Sequence, residues 1–356
     1  MIDEQLAEIS NLALVVAIVL YVLALIGFAA DLASSSQRRS DARLAAQDRR
    51  VEARTLQSAS VSADGGSASS GVSEGGSGPG AADAADPAPA AGSMSAQRFA
   101  FLLAGAATVL HVVGVATRAL ATQRVPWANM YEFATTSTAV VMLAFLVFSI
   151  KRTELRALGT FVIGPVLLVL LLAQTFWIVP AAELTPSLQN SHWLYIHISV
   201  AVLATALSIL GAVVAGLQLL QARHERGLVA AAASGEEHPE HWGRFGHVLD
   251  RLPSSTVLEA LSFRIHSVAF VCWTFTLIFG AIWARDAWGR FWGWDPKEVW
   301  TFIIWVIYAA YLHARATGGF RGSRAAGLAL AGFVAVVFNY TIVNTVINGL
   351  HSYSGL

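Results

Sequence analysis

A single cysteine, Cys272, is all that this chain of 356 residues contains, so no disulfide can close within it. It sits in an apolar stretch and reads as a small packing side chain. Charge is also scarce. Only 13% of residues are charged, and 23 basic residues against 23 acidic ones leave no net sign. That balance offers little to a phosphate backbone, so nucleic acid is not expected as a partner. Hydrophobic residues make up 55% of the chain and mean hydropathy is +0.57, which excludes an ordinary soluble domain.

What the chain does have is long apolar runs, each able to cross a hydrocarbon core of roughly 30 Å. They fall at about 11–30, 99–118, 131–150, 158–177, 193–220, 265–284, 298–314 and 325–347. The expected fold is all-α, a polytopic integral membrane protein of about eight transmembrane helices. Basic residues alternate between the connecting segments. They cluster at Arg38–Arg54, at Lys151, Arg152 and Arg156, between Arg223 and Arg264, and at Arg315, Arg321 and Arg324. By the positive-inside rule those segments are cytoplasmic, in the plasma membrane, and both termini are extracytoplasmic. Acidic residues precede the first run and basic ones follow it, the reverse of a signal peptide.

Residues 57–97 are rich in Ser, Gly, Ala and Pro and too poor in apolar residues to offset ordering entropy, so a disordered linker is expected. The chain then divides into a first helix (1–30), a basic segment with linker (31–98) and a membrane core (99–356).

The segments assigned to the outer face hold the unusual chemistry. Between Trp288 and Trp300, four tryptophans occur within 13 residues, separated by Gly289 and Gly293 and interrupted by Asp295-Pro296. Tryptophan belts at membrane interfaces account for one or two such rings, not for this density. Glycines would let ring faces lie flat and a planar ligand approach the backbone. A planar apolar macrocycle with anionic edges would stack there and pair its acids with Arg285, Arg290 or Lys297. If it carries iron, it also needs axial nitrogen donors.

Two histidines are within reach by topology: His197, about one turn inside the fifth span, and His351, just after the last. His313 lies about 15 residues into the seventh span, so roughly 22 Å deeper at 1.5 Å per residue. There it is either functional or an interfacial neighbour of Arg315. His111 is a candidate for helix-packing hydrogen bonds, and His266 for an interfacial position at the start of the sixth span. Asn129 suits a helix cap before Glu132. Asn339, Asn344 and Asn348 suit interhelical contacts, the latter two nearer the outer face.

These residues resemble the haem-handling protein family, and within it the CcsA/ResC-type cytochrome c biogenesis proteins of the System II pathway. The Trp-Gly-x-x-Trp-x-Trp-Asp pattern is complete at 288–295 and continues as Pro-Lys-Glu-x-Trp. Asn-Met-Tyr-Glu at 129–132, Trp-Leu-x-x-His at 193–197, Leu-His-x-Arg at 312–315 and Leu-His-Ser-Tyr at 350–353 also match, and the likeness covers about 99–356. It implies binding of haem b by Trp288, Trp292, Trp294, Asp295 and Arg290. It further implies His197 and His351 as axial ligands of an outer haem, and His313 as one ligand of an inner site completed by a ResB-type partner. Apocytochrome c, bearing C-x-x-C-H, would be the acceptor, and thiol reduction would fall to other proteins of the pathway. This chain has no C-x-x-C-H of its own. It would act by positioning haem and thiols, as a synthase component without a catalytic acid, base or nucleophile. Two rivals are a haem exporter or chaperone without a ligation role and an ion- or proton-coupled transporter, which should show an internal repeat and spans broken at mid-membrane.

Overall fold

The computed structural model describes residues 2–63, 95–182, 191–234, 243–317 and 319–351, without side chains for 34–63, 243, 244 and 247. The helices are α1 (Glu4–Ala63), α2 (Ala96–Thr122), α3 (Met130–Lys151), α4 (Gly159–Phe176) after a 3-10 turn at Thr153–Leu158, α5 (His192–Ser234), α6 (Gly243–Leu249), α7 (Ser255–Trp288), α8 (Pro296–Ala316), α9 (Ser323–Tyr340) and α10 (Ile342–Thr345). Among the described residues, eight helical segments are long and apolar enough to cross a membrane, and they coincide with the eight expected spans. Helix α1 continues to Ala63, seven residues into the segment expected to be linker. Most of that linker, 64–94, lies outside the described residues.

Large apolar side chains such as Leu102, Val147, Leu168 and Val334 are exposed along the spans, as a lipid-facing surface requires. The inward faces are built from small residues and close aromatics. Ala17, Ala100, Ala104 and Ala107 let α1 and α2 lie tightly together, and α5 packs along α7. His111 ties the first three helices. It faces the Tyr21 hydroxyl at 3.3 Å through Nδ1 and the Thr135 carbonyl at 2.9 Å through Nε2. Both ring nitrogens are thus engaged in packing, the helix-bonding alternative for this residue.

The helices run up and down, so their ends gather at two poles. At one pole the Asp3 N–H donates to the Ala121 carbonyl, Arg118 to the Val179 carbonyl and Ser191 to Asp286. At the other, Arg251 pairs with Asp31, Arg315 with Glu259, and Gln218 donates to the Gly322 carbonyl. The segments of the Trp motif and of His351 share the first pole. The Arg-bearing turns at Arg251 and Arg315 share the second.

Candidate functional site

Helix α7 extends through Trp288, so the first tryptophan of the motif is helical. Gly289 ends the helix in the left-handed region (φ 72°) and its N–H closes on the Arg285 carbonyl, a glycine C-cap. Gly293 has a different task. The Arg290 guanidinium lies over it so closely that a Cβ there would fall 0.9 Å from Nη1. The two glycines thus have separate local tasks, one at a helix end and one beneath an arginine.

Between them and α8, Trp294 adopts φ 59° and is 76% exposed, a costly conformation for a bulky residue. One carboxylate oxygen of Glu298 holds that turn by accepting the N–H groups of Gly293 (2.8 Å) and Asp295 (3.1 Å). Asp295 and Glu298 also form a capping box around Pro296 at the start of α8.

Asp295 does more than cap. Its carboxylate accepts Nδ1–H of His351 at 2.8 Å and the N–H of Leu350 at 2.6 Å, fastening the C-terminal segment to the Trp loop. Gly349 permits this approach, since a Cβ there would lie 2.6 Å from the Asp295 oxygen. Burial pushes the Asp295 carboxyl up, but His351 and the N–H groups of Leu350 and Lys297 outweigh it. They hold its pKa below the usual carboxylate value.

His197, on α5, is anchored in the same manner: its Nδ1 donates to the Thr276 carbonyl at 2.9 Å. A neutral imidazole that donates from Nδ1 carries its lone pair on Nε2, the state a metal ligand requires. Gly280 makes room for this ring, because a Cβ there would meet His197 Cε1 at 2.8 Å.

The two histidines meet at a residue the sequence reading passed over. Trp283, 2% exposed, stacks on His197 (ring centres 5.9 Å apart, planes 13° apart) and meets His351 edge-on at 5.6 Å. Trp288 backs both partners, 4.7 Å from Trp283 and 4.8 Å from His351. The available signal was position: Trp283 lies five residues before Trp288 on one helix.

Beside this pair opens a cavity enclosing about 1200 Å3 including its mouth, lined by His197, His351, Trp292, Lys297, Met130 and Asn344 among others. Trp292 therefore faces the cavity, Trp288 supports His351 from behind, and Trp294 projects outward. Arg290 is 3.8 Å from Glu298, and exposed Arg285 lies over the Phe291 ring. Of the three cations proposed to pair with a ligand, Lys297 lines the cavity.

The opposite wall is the Trp127–Phe133 turn. Asn129 caps α3 by accepting the Glu132 N–H, and Tyr340 donates to the Met130 carbonyl at 2.7 Å. Glu132, 0% exposed, is clamped by Arg118 (3.2 Å) and Arg124 (2.7 Å). Its place in the Asn-Met-Tyr-Glu motif is thereby explained as the anchor of this turn.

Among the described residues, the remaining histidines do not join the cavity. His313 is exposed on the α8 face that also carries Phe302, Val306 and Ala310, near the far pole. His266 is not interfacial as expected. It is wholly buried, with Nδ1 bound to the Ser262 carbonyl (2.8 Å) and its ring between Tyr308 and Tyr311. Gly211 on α5 leaves the space it occupies. His224 pairs with Asp250 at 2.8 Å.

Fold and site together define a polytopic membrane protein with paired histidines at an apolar, Trp-walled cavity. Residues 106–351 match the family described as cytochrome C assembly protein, and the chain belongs to that family. It is 32% identical over 258 residues to the cytochrome c biogenesis protein CcsA of Chlamydomonas reinhardtii, covering 71% of this chain and 67% of that one. Identity to CcsA of Guillardia theta is 34% over 262 residues, covering 70% and 82%. With CcsA of Prochlorococcus marinus it is 32% over 265 residues, covering 71% and 83%. The role of this chain is in cytochrome c assembly, as the Trp motif led us to expect.

Proposed function

We propose that this protein holds haem b in the cavity between His197 and His351 and presents it to apocytochrome c. The observation that carries the reading is the convergence on Trp283, at the cavity, of one histidine from helix α5 and one from the segment after α10, each with Nδ1 committed to an acceptor. The donor set suits the group. Imidazole nitrogens serve as haem ligands, and the walls of Trp, Phe, Leu and Met suit an apolar macrocycle.

When bound, haem supplies the vinyl groups to which the peptide thiols add. The chain's own contribution is positional. Thr276 and Asp295 fix the two rings, Trp283 and Trp288 keep them apart and upright, and Glu298 shapes the mouth. Trp294, held outward beside that mouth, suits contact with the incoming peptide.

Alternation of basic segments supports placing the cavity pole outside the plasma membrane. Reporter fusions after Asp286 should then read extracytoplasmic and those after Glu154 and Phe320 cytoplasmic. His313 is an ionisable group on an apolar outer face, a costly arrangement in lipid. Its exposure supports an inner haem site completed by a ResB-type partner chain, with the thiols kept reduced by other proteins of the pathway. The first span and linker (1–98) would tether the haem-handling core (99–356). Interruptions of the spans fall near their ends, at Leu158 and Thr341, which favours this reading over an ion-coupled transporter.

The test is the visible spectrum of the protein purified in detergent after co-expression with its partner. A Soret band with low-spin, bis-histidine features is expected in the wild type. A wild-type protein without haem, or spectra unchanged in both His197→Ala and His351→Ala, would remove the two histidines as ligands.

A further inference from the structure

The cavity wall carries a lysine whose ammonium makes no ion pair among the described residues. Lys297, in the first turn of α8, directs Nζ to two neutral oxygens, the Asn339 carbonyl at 2.9 Å and the Asn344 side-chain oxygen at 2.8 Å. The two nearest carboxylates in sequence are occupied elsewhere. Asp295 accepts His351, Leu350 N–H and the Lys297 backbone N–H. Glu298 accepts the N–H groups of Gly293 and Asp295 and faces Arg290. Among the described residues no carboxylate oxygen lies within 4 Å of Nζ.

An ammonium has three donors, and here two are used, both by neutral acceptors. Placing such a group against an apolar ligand without an anion is expensive. The arrangement makes sense when the ligand brings the anion. We propose that Lys297, aimed by Asn344 and the Asn339 carbonyl, is the site's recognition element for a carboxylate on the bound ligand. It sets a preference for a macrocycle with a free acid over the same macrocycle with that acid masked. This rests on the haem reading, in which the acid is a propionate. Arg285 and Arg290, offered equally by the sequence, are turned to the Phe291 ring and to Glu298.

The test compares haem b with its dimethyl ester, which keeps the iron and the ring but has no free acid, titrated into full-length detergent-solubilised protein. Wild type should bind haem b at least about tenfold more tightly than the ester, in line with a hydrogen bond between charged groups. In Lys297→Met that preference should fall toward unity while the low-spin, bis-histidine spectrum persists with either ligand. Asn344→Asp, which places a carboxylate on Nζ without removing the lysine, should abolish the preference in the same way and guards against a folding defect in the first variant. Lys297→Arg should retain much of it. Equal binding of both ligands by the wild type, or an undiminished preference in both Lys297→Met and Asn344→Asp, would overturn the assignment and leave haem binding intact. Failure of the wild type to bind either ligand would instead overturn the haem reading, and the assignment with it.

Discussion

The two poles of the bundle are both furnished with histidines, yet they use them differently. At the cavity pole His197 and His351 each donate from Nδ1 to a fixed acceptor and line an open space. Toward the far pole, His266 is sealed between two tyrosines, His224 pairs with Asp250, and His313 faces outward from the bundle. A histidine in a membrane span is therefore not a ligand by residue type. What sets the two proposed ligands apart is a committed Nδ1 together with an accessible cavity, and among the described residues the far pole offers no such pair.

The strongest way to break this contrast is to remove the cavity histidines. Either His197→Ala or His351→Ala should abolish cytochrome c maturation, read as haem-stained holocytochrome in membranes. Full maturation in both would erase the distinction between the poles. Next comes His313→Ala, co-expressed with the partner. Less haem should reach the purified protein, with the spectrum of what is bound unchanged, because the outer ligands remain. Normal haem content would make His313 a surface neighbour of Arg315.

Asp295→Asn should weaken haem binding by roughly 10-fold or more, the usual cost of losing an outer-shell partner, with the start of α8 largely preserved because Asn also caps helices. The pH dependence has a definite sign. Asp295 has a folded-state pKa below the ordinary carboxylate value. Its contribution is present above that ordinary value and is lost only as pH falls through the depressed one. The Asp295 carboxylate should therefore stay ionised through mild acidification in the wild type, and the variant should bind more weakly at neutral pH. Gly280→Ala, which crowds His197, should cause a smaller, several-fold loss, since His197 can yield part of the way. At the bottom of the scale, His266→Gln should leave the haem spectrum and maturation unchanged. A spectral change there would show that the buried far-pole histidine takes part.

Much of this was visible in the sequence because lipid imposes simple rules. Eight apolar runs, alternating basic turns and the cap at Asn129 followed from length, charge and backbone chemistry. The histidines and Trp292 were also legible, since unusual residues concentrated in segments of one parity. What was hidden depends on contacts between distant segments. Trp283 went unmarked because nothing local says that α5 and the C-terminal segment bring two imidazoles to it. Gly289 and Gly293 were legible as special but not in their tasks, which a helix end and an arginine decide. His266 looked interfacial because it opens the sixth apolar run, while Tyr308 and Tyr311, which enclose it, come from another helix.

The most direct test of the central claim is chemical complementation of one axial position. His197→Gly protein, purified with its partner, is titrated with imidazole while its visible spectrum is followed. Without imidazole the bis-histidine, low-spin signature should be lost. Added imidazole should restore it, because the space left beside Gly280 and Trp283 admits the same donor and His351 remains held by Asp295. A low-spin spectrum identical to wild type before any imidazole is added would contradict the account, since the iron would then be held by other residues.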